Sequence, residues 1–148
     1  MRDRAQRKRD ALAMLERSGA DVWVASASAD GAPYLVPLSL GWDGGRIIVA
    51  TPSRSPTARN VMRSRTARIA LGETRDVVMV DADLDETVEV GQAPVAFADA
   101  YSEQAGWDPR TAGEGMVFLA FTPRRIQAWR EADEIEGRDI MGDGRWLT

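Results

Sequence analysis

The stretch ATPSRSPTARN, residues 50–60, joins an apolar segment to a short helix and decides much of the fold. Ser55 is a preferred N-cap residue, and Pro56 fits the first helical position because its missing N–H would have no partner there. The first turn of such a helix directs unpaired amides and the positive end of its dipole outward. Arg54 and Arg59 lie close enough in sequence to converge there, so the stretch predicts an anion site. The alternative is a capped helix carrying solvated arginines.

Three predicted strands precede this junction. They cover Val22 to Ser28, Tyr34 to Trp42 and Arg46 to Thr51, and Asp-Gly pairs between them are strong turn signals. The pattern predicts an antiparallel meander. Pro37 cannot donate to a ladder, so the second strand should have an edge, a bulge or a gap at that residue, where a flat ligand could meet the backbone.

The rest of the chain reads as further strands and two flanking helices, which makes the fold mainly β (α+β). We expect an N-terminal helix at about residues 3–18, capped by Gly19, and a second from Pro94 to Gln104 that stops at Gly106. The alternating Asp81, Asp83 and Asp85 predict a solvent-facing edge rather than a calcium loop. The remaining strand predictions are Ala67 to Leu71, Val77 to Ala82 with a continuation toward Val90, Met116 to Phe121, and Arg125 to Trp129 after a corner or bulge at Thr122-Pro123.

Composition excludes several kinds of chemistry. The 148 residues contain no cysteine, no histidine and a single lysine, Lys8, against eighteen arginines. Thiolate nucleophiles, His-based triads and His- or Cys-ligated metals are therefore ruled out, and Schiff-base chemistry is disfavoured. If the protein is an enzyme, a bound cofactor should carry the reaction.

Charge and hydropathy bound the partners. The net charge is −4 and no long apolar stretch occurs, so we expect neither a nucleic-acid nor a membrane partner, and a cytoplasmic location. The N-terminal stretch MRDRAQRKR is locally basic. At the other end, Arg145-Trp146-Leu147 closes a polar tail at about residues 130–148 that we expect to dock against the domain.

A family resemblance covers nearly the whole chain, and four segments carry it. The segment from Ile48 to Arg68, together with Arg124 to Trp129, Gly137-Arg138 and Arg145-Trp146, resembles the pyridoxamine 5′-phosphate oxidase-like flavin-binding split β-barrel family, including relatives that use the deazaflavin F420. The resemblance implies one split-barrel domain over residues 1–148. It also implies a homodimer with a flavin in each groove at the subunit interface.

The same resemblance maps cofactor contacts onto this chain. Trp129 matches a family tryptophan that either reaches the cofactor or seals the interface. The residues that fall at the phosphate are Arg54, Ser55, Thr57, Ala58, Arg59 and Asn60, and those that fall at the ring are Pro37, Leu38, Ser39, Ala50 and Thr51.

Two departures from the family pattern bear on function. Thr57 stands where many members carry a lysine, and Arg138-Asp139-Ile140-Met141 lacks the histidine of the substrate-gripping segment, which argues against vitamin B6 oxidation itself. The resemblance therefore implies an oxidoreductase that transfers a hydride to or from a small organic substrate, with FMN slightly favoured and F420 as the alternative cofactor. No catalytic residue is assigned, although Tyr34, Tyr101 and Ser39 could donate protons or hydrogen bonds.

Other readings stay open. One is a non-catalytic dimer that binds or stores a flavin or a tetrapyrrole. Another is an empty barrel that acts through protein contacts on its basic N-terminal helix. For F420, whose phosphodiester continues into a polyglutamate tail, the basic residues Arg2, Arg4, Arg7, Lys8 and Arg9 could receive the tail.

Overall fold

A computed structural model describes residues 1–148 and contains nine strands and three α-helices. The helices are α1 (Arg4–Leu15), α2 (Pro56–Ser64) and α3 (Val95–Ala105). Short 3₁₀ segments cover Val90–Gln92, Pro109–Ala112 and Ala132–Glu134. The strands are β1 (Asp21–Ala27), β2 (Pro33–Ser39), β3 (Gly41–Trp42), β4 (Ile47–Pro52), β5 (Thr66–Glu73), β6 (Asp76–Glu89), β7 (Met116–Trp129), β8 (Asp139–Gly142) and β9 (Arg145–Trp146).

One antiparallel sheet curls into a half-barrel with the strand order β2-β1-β5-β6-β7-β4-β3, and β8 and β9 extend it beside β7. The two outer strands of this order, β2 and β3, are consecutive in the chain and are separated only by Leu40. The seam of the barrel is therefore spanned by the chain itself rather than by a ladder of hydrogen bonds. The expectation of a mainly β split barrel is confirmed.

The predicted strand from Tyr34 to Trp42 is in fact two strands, so the predicted meander is wrong at this point. β2 pairs with β1 along all seven of its residues, whereas Gly41 and Trp42 pair with β4. The change of partner occurs at Leu40, whose amide donates to the carbonyl of Ala20 (2.9 Å) and whose side chain is buried. Pro37 lies on an edge strand, one of the three arrangements predicted for it.

The prediction of a sheet edge from the alternating aspartates of β6 is wrong for Asp81 and Asp83. β6 pairs with both β5 and β7 as far as Asp83, whereas from Leu84 onward it pairs with β7 alone, so only Asp85 lies on an open margin. Its aspartates pair instead with arginines of neighbouring elements: Asp81 with Arg68 (3.1 Å), Asp83 with Arg124 (3.4 Å) and Asp85 with Arg46 (2.9 Å). Cross-strand partners can be recognised only when the strand order is known.

The two predicted C-terminal strands are one strand, β7, with a bulge. Asp81 opposes Arg125 and the next residue, Ala82, opposes Pro123, so Arg124 is the extra residue at the shift. The bulge lies beside Thr122-Pro123, as predicted. Proline has no N–H to donate to the ladder, so a bulge is favoured at this point.

The barrel interior holds the main hydrophobic core, and the helices pack around it. α1 buries Ala11 and Leu15, and α2 buries Ala58 and Val61, in the same cluster as the strand residues. α1 packs near Gly72 at the end of β5, whereas α2 leads into the start of that strand, so the two helices lie at opposite ends of β5. No helix of the structure is both long and apolar enough to cross a bilayer.

The predicted C-terminal cap is confirmed for α3 and is wrong for α1. α3 stops at Gly106, whose left-handed φ of 81° caps it as predicted. α1 ends at Leu15 with Glu16 as its C-cap, so Gly19 is not its cap. The amide of Gly19 instead donates to the carbonyl of Gln104 (2.7 Å), which ties the segment after α1 to α3.

A buried ion pair joins the two ends of the chain. Glu134, 3% exposed, accepts hydrogen bonds from the backbone amide (2.9 Å) and the guanidinium (2.8 and 3.1 Å) of Arg2 and from the amide of Arg130 (2.8 Å). These bonds hold the pKa of Glu134 down to about 2, chiefly through Arg2. The C-terminal tail also docks as expected: Trp146 packs against the core, and Lys8 Nζ lies 4.9 Å from its ring centroid.

Candidate functional site

β2 and β4 lie side by side without a hydrogen-bonded ladder between them, and we call this unpaired margin the β2–β4 gap. The β3–β4 ladder pairs Gly41 with Ile48. On the N-terminal side of Leu40, the residues of β2 pair with β1 instead of β4. If the ladder continued, Ser39 would oppose Ala50 and Leu38 would oppose Thr51. β2 and β4 still lie against each other. The structure thus brings all five predicted ring residues, Pro37, Leu38, Ser39, Ala50 and Thr51, to the two sides of one gap.

Tyr101 of α3 fixes the narrow end of this gap. Its hydroxyl donates to the carbonyl of Ser39 (3.0 Å), and its ring packs so closely on Gly41 that a Cβ atom there would overlap it. Burial raises the pKa of Tyr101 to about 12. Near neutrality the phenol is therefore protonated and committed to Ser39, so Tyr101 serves as a hydrogen-bonding residue and not as a ready proton donor.

The other end of the gap leads to the start of α2, where the predicted cap is present. Ser55 Oγ accepts from the amide of Ala58 (3.1 Å) and lies 3.0 Å from the hydroxyl of Thr51. Ser55 thereby links β4 to α2 and sets the position of the first helical turn. Pro56 occupies the first helical position as expected.

Replacing Ser55 by alanine is expected to lower the free energy of unfolding by about 1 kcal/mol, because the Ala58 amide loses its acceptor and Thr51 loses its partner. The melting temperature should fall by roughly 2–4 °C for a chain of this size. Ser53→Ala is the matched control, since its exposed side chain forms no hydrogen bond. Equal melting temperatures for both variants would contradict the capping role.

The first turn of α2 keeps unpaired donors. The amides of Ala58 and Arg59 are bound by Ser55, but those of Arg54 and Thr57 have no acceptor in the chain. Thr57 as a residue is only 1% exposed, and its hydroxyl forms no hydrogen bond within the chain. No fully buried side-chain oxygen or nitrogen of the protein lacks a partner, so this hydroxyl keeps access to solvent. Unpaired amides at the start of a helix, with an accessible hydroxyl beside them, are suited to an anion.

The charged and amide side chains of the junction divide into two groups. Arg54 and Arg59 are exposed and form no ion pair, so both remain free for an anion at the helix start. Asn60 is buried and donates to Ser26 Oγ (3.2 Å), and Ala58 is fully buried. The side chains of Asn60 and Ala58 therefore anchor α2 within the chain, and their assignment to the phosphate region stays a prediction.

Trp129 is not brought to this site within one chain. It ends β7, whereas Thr51 pairs with Val117 near the start of the same 14-residue strand. The guanidinium of Arg138 lies 5.5 Å from the Trp129 ring centroid. A contact between Trp129 and the gap would therefore require a second copy of the chain.

Sequence reasoning missed a cavity beside α2, between the residues that lead into the helix and the loop before β7. It measures about 750 Å³ and is bordered by Ser53, Met62, Glu89 and the loop Gly113-Glu114-Gly115. The amide of Ser53 donates to the carbonyl of Gly115 (2.7 Å), which holds the loop beside the helix start. The two glycines were a signal for a special backbone shape here, but nothing in the sequence indicated which element they contact.

Solved structures with the same fold were found by comparison. An F420 reductase superimposes with a TM-score of 0.64 at 16% identity over 77% of this chain and 93% of that chain. A Listeria innocua protein provisionally assigned as a pyridoxamine 5′-phosphate oxidase gives 0.62 at 13% identity over 84% and 98%. A haem-binding protein of Mycobacterium smegmatis gives 0.64 at 15% identity over 97% and 59%. No protein-family model and no curated protein matches the sequence.

These likenesses define the class of fold. The chain is a split β-barrel of the pyridoxamine 5′-phosphate oxidase-like type, and the resemblance drawn from the sequence is confirmed at that level. At sequence identities of 13–16%, these structures establish the fold alone. Which ligand binds depends on the residues of this chain.

Proposed function

We propose that the protein binds a flavin-type cofactor, FMN or F420, and transfers a hydride between the cofactor ring and a small organic substrate. The observation that carries the proposal is the unpaired donor set at the start of α2, which opens directly onto the β2–β4 gap. The fold adds support, because an F420 reductase and a Listeria innocua protein provisionally assigned as a pyridoxamine 5′-phosphate oxidase share it.

The residues present fit a phosphorylated flat ring. The amides of Arg54 and Thr57, the hydroxyl of Thr57 and the guanidinium groups of Arg54 and Arg59 would hold the phosphate. Thr57 supplies a short neutral donor where the family pattern often has a lysine, so the two arginines must supply the positive charge. The backbone of β2 and β4 would lie along the ring, and Tyr101 would keep the Ser39 carbonyl in place.

A flavin or deazaflavin supplies the hydride chemistry when bound, which agrees with a chain that has no histidine or cysteine. The chain's own residues orient the ring and exclude water from the gap. The cavity beside Ser53 offers room for a small substrate next to the phosphate end of the site.

The test is the visible absorption spectrum of protein purified from its native host, followed by titration of FMN and F420 into stripped protein. A bound yellow chromophore and a saturable titration are expected. No chromophore and no binding of either compound would overturn the proposal. Turnover then separates an enzyme from a storage module, because a reduced cofactor that no acceptor reoxidises would indicate binding alone.

We further propose a homodimer formed through the outer face of the sheet. Residues that oppose one another in an antiparallel ladder share a face, which groups Trp23 with Pro37 and Ala70, and Ala25 with Leu35. Trp23 is 50% exposed and Leu35 59% exposed. An apolar patch of this kind on a small protein marks an interaction surface, and a second copy seated there would cover the margin of the β2–β4 gap.

Trp23→Glu is expected to convert the dimer into a monomer, because the new carboxylate would be desolvated next to its symmetry mate. Sedimentation velocity measures the change. Val95→Glu is the matched control, since Val95 is 69% exposed on α3, outside the strands β1, β2 and β5 that carry the patch. A wild-type chain that sediments as a monomer would disprove this interface.

A further inference from the structure

The interior face of β6 changes from apolar to polar at the register shift that follows Leu84. Leu84 still belongs to the main hydrophobic core. Beyond the shift, Thr87 and Glu89 each oppose a core residue of β7, and residues that oppose one another in a ladder share a face. Both polar side chains therefore lie on the interior side of the sheet. Because both are exposed, the barrel is open to solvent at this end.

The margin of β6 beyond Leu84 also has no neighbouring strand. β5 pairs with β6 only as far as Asp83. Arg65 closes the next position, because its carbonyl accepts from the Leu84 amide (2.8 Å) and its guanidinium donates to the Leu84 carbonyl (3.1 Å). An antiparallel strand directs half of its amides and carbonyls to each side. Over residues 85–89, the backbone groups directed away from β7 therefore have no strand partner.

This open margin borders the cavity of about 750 Å³ beside α2. Met62 and Met116 contribute apolar thioether side chains to the lining, and three exposed glycines, Gly91, Gly113 and Gly115, contribute backbone. Thioethers adapt to ligands of different shape. A cavity of this volume is within the range that proteins use for small organic ligands.

The charge of the cavity lining is negative. Arg110 is its only cation, and it is bound to two carboxylates outside the lining, Asp99 (2.8 Å) and Asp108 (2.9 Å). Glu89 and Glu114 also line the cavity, and neither forms an ion pair. Carboxylates and backbone carbonyls only accept hydrogen bonds. The lining therefore favours a cation over an anion.

We propose that this cavity binds a small organic cation, an alkylammonium ion whose N–H groups donate to Glu89 and Glu114 while its apolar part packs on Met62 and Met116. An ammonium group has three donors and no acceptor, so it suits a lining in which the free polar groups are acceptors. As the substrate class of the proposed hydride transfer, the inference rests on the proposed function. The binding site itself does not, because this chain forms it without a cofactor.

The six methionines allow a site-specific test by NMR of the full-length protein labelled with ¹³C at the methionine methyl groups. The probes are n-pentylammonium, 1-pentanol and pentanoate, which share one apolar chain and differ in charge. Pentylammonium is expected to shift the signals of Met62 and Met116 saturably and to leave those of Met79 and Met141, which lie outside the cavity lining, in place. Pentanol should bind about tenfold more weakly, since each exposed carboxylate contributes a several-fold preference for the cation, and pentanoate should not bind.

The double variant Glu89→Gln/Glu114→Gln tests the two carboxylates. Its affinity for pentylammonium should fall about tenfold, to that for pentanol, while its affinity for pentanol stays unchanged. Glu103→Gln/Glu136→Gln is the matched control, since it removes two exposed carboxylates that form no ion pair and do not line the cavity. Both variants should melt at the wild-type temperature, because all four side chains are exposed.

The outcomes separate this site from the proposed function. Absence of shifts at Met62 and Met116, equal affinities for pentylammonium and pentanol, or an equal loss in the control variant would overturn the cation site. The cofactor proposal would then still stand, because FMN and F420 are titrated separately. Conversely, a protein that binds pentylammonium in this cavity but neither FMN nor F420 retains the cation site and loses the proposed function.

Discussion

The double variant Arg54→Ala/Arg59→Ala is expected to bind FMN or tail-less deazaflavin roughly a hundredfold more weakly than the wild type. A charge-assisted hydrogen bond contributes about 1.5–3 kcal/mol, so each arginine should account for about tenfold or more. Neither side chain has a carboxylate partner, so no folded-state ion pair is lost. Affinity is measured by quenching of flavin or deazaflavin fluorescence, and each single variant gives its own share.

The melting temperature of the double variant should change little, because both side chains are exposed. Arg4→Ala/Arg17→Ala is the control, since it removes the same charge from the opposite end of the barrel. An unchanged dissociation constant in the α2 variant, or the same loss in the α1 variant, would remove the anion site from the start of α2.

Glu134→Gln is expected to destabilise the protein by about 3 kcal/mol near neutrality. The change replaces the most buried carboxylate partner of Arg2 by a neutral amide. Breaking one side of a buried ion pair typically costs about 3–5 kcal/mol, and the lower end applies here because Arg2 keeps Asp10 (2.8 Å) as a partner. Chemical denaturation at several pH values measures the effect. Glu131→Gln is the control, because that exposed carboxylate pairs only with Arg75 (3.3 Å) and should matter by under about 1 kcal/mol.

The pH dependence of this difference has a definite sign. The pKa of Glu134 is lowered from about 4.5 to about 2 in the folded protein, so its ionised form stabilises the fold above the unfolded value. That contribution, about 3 kcal/mol for this shift, is lost as the pH falls from about 4.5 toward 2. The wild type and Glu134→Gln should therefore converge in stability on acidification. A constant difference down to pH 2 would contradict the assignment.

Local signals predicted the parts of the site that depend on neighbouring residues in sequence. Ser55 and Pro56 specify the start of α2 because capping and the proline ring act within one turn. Gly106 ends α3 for the same kind of reason. The resemblance supplied the ring residues, and the β2–β4 gap brings them together.

Long-range features could not be predicted in this way. No residue near Leu40 in the sequence indicates that the chain changes its pairing partner there. The change depends on Ala20, whose carbonyl accepts from the Leu40 amide, and on β1, with which β2 pairs. The alternating aspartates of β6 have the sequence pattern of a sheet edge. Their arginine partners can be recognised only when the strand order is known. The buried roles of Asn60 and Thr57 likewise depend on the packing of α2 against β1 and β4.

The single residue between β2 and β3 has a mechanical consequence. At Leu40 the two sides of the seam are joined by covalent bonds, and Tyr101 clamps Ser39 immediately beside that point. We therefore expect the β2–β4 gap to widen at its α2 end, with Leu40 as the hinge. A flat ligand would then have to enter from the α2 side. Inserting a residue at Leu40 is expected to weaken ligand binding, although no residue that contacts the ligand is changed.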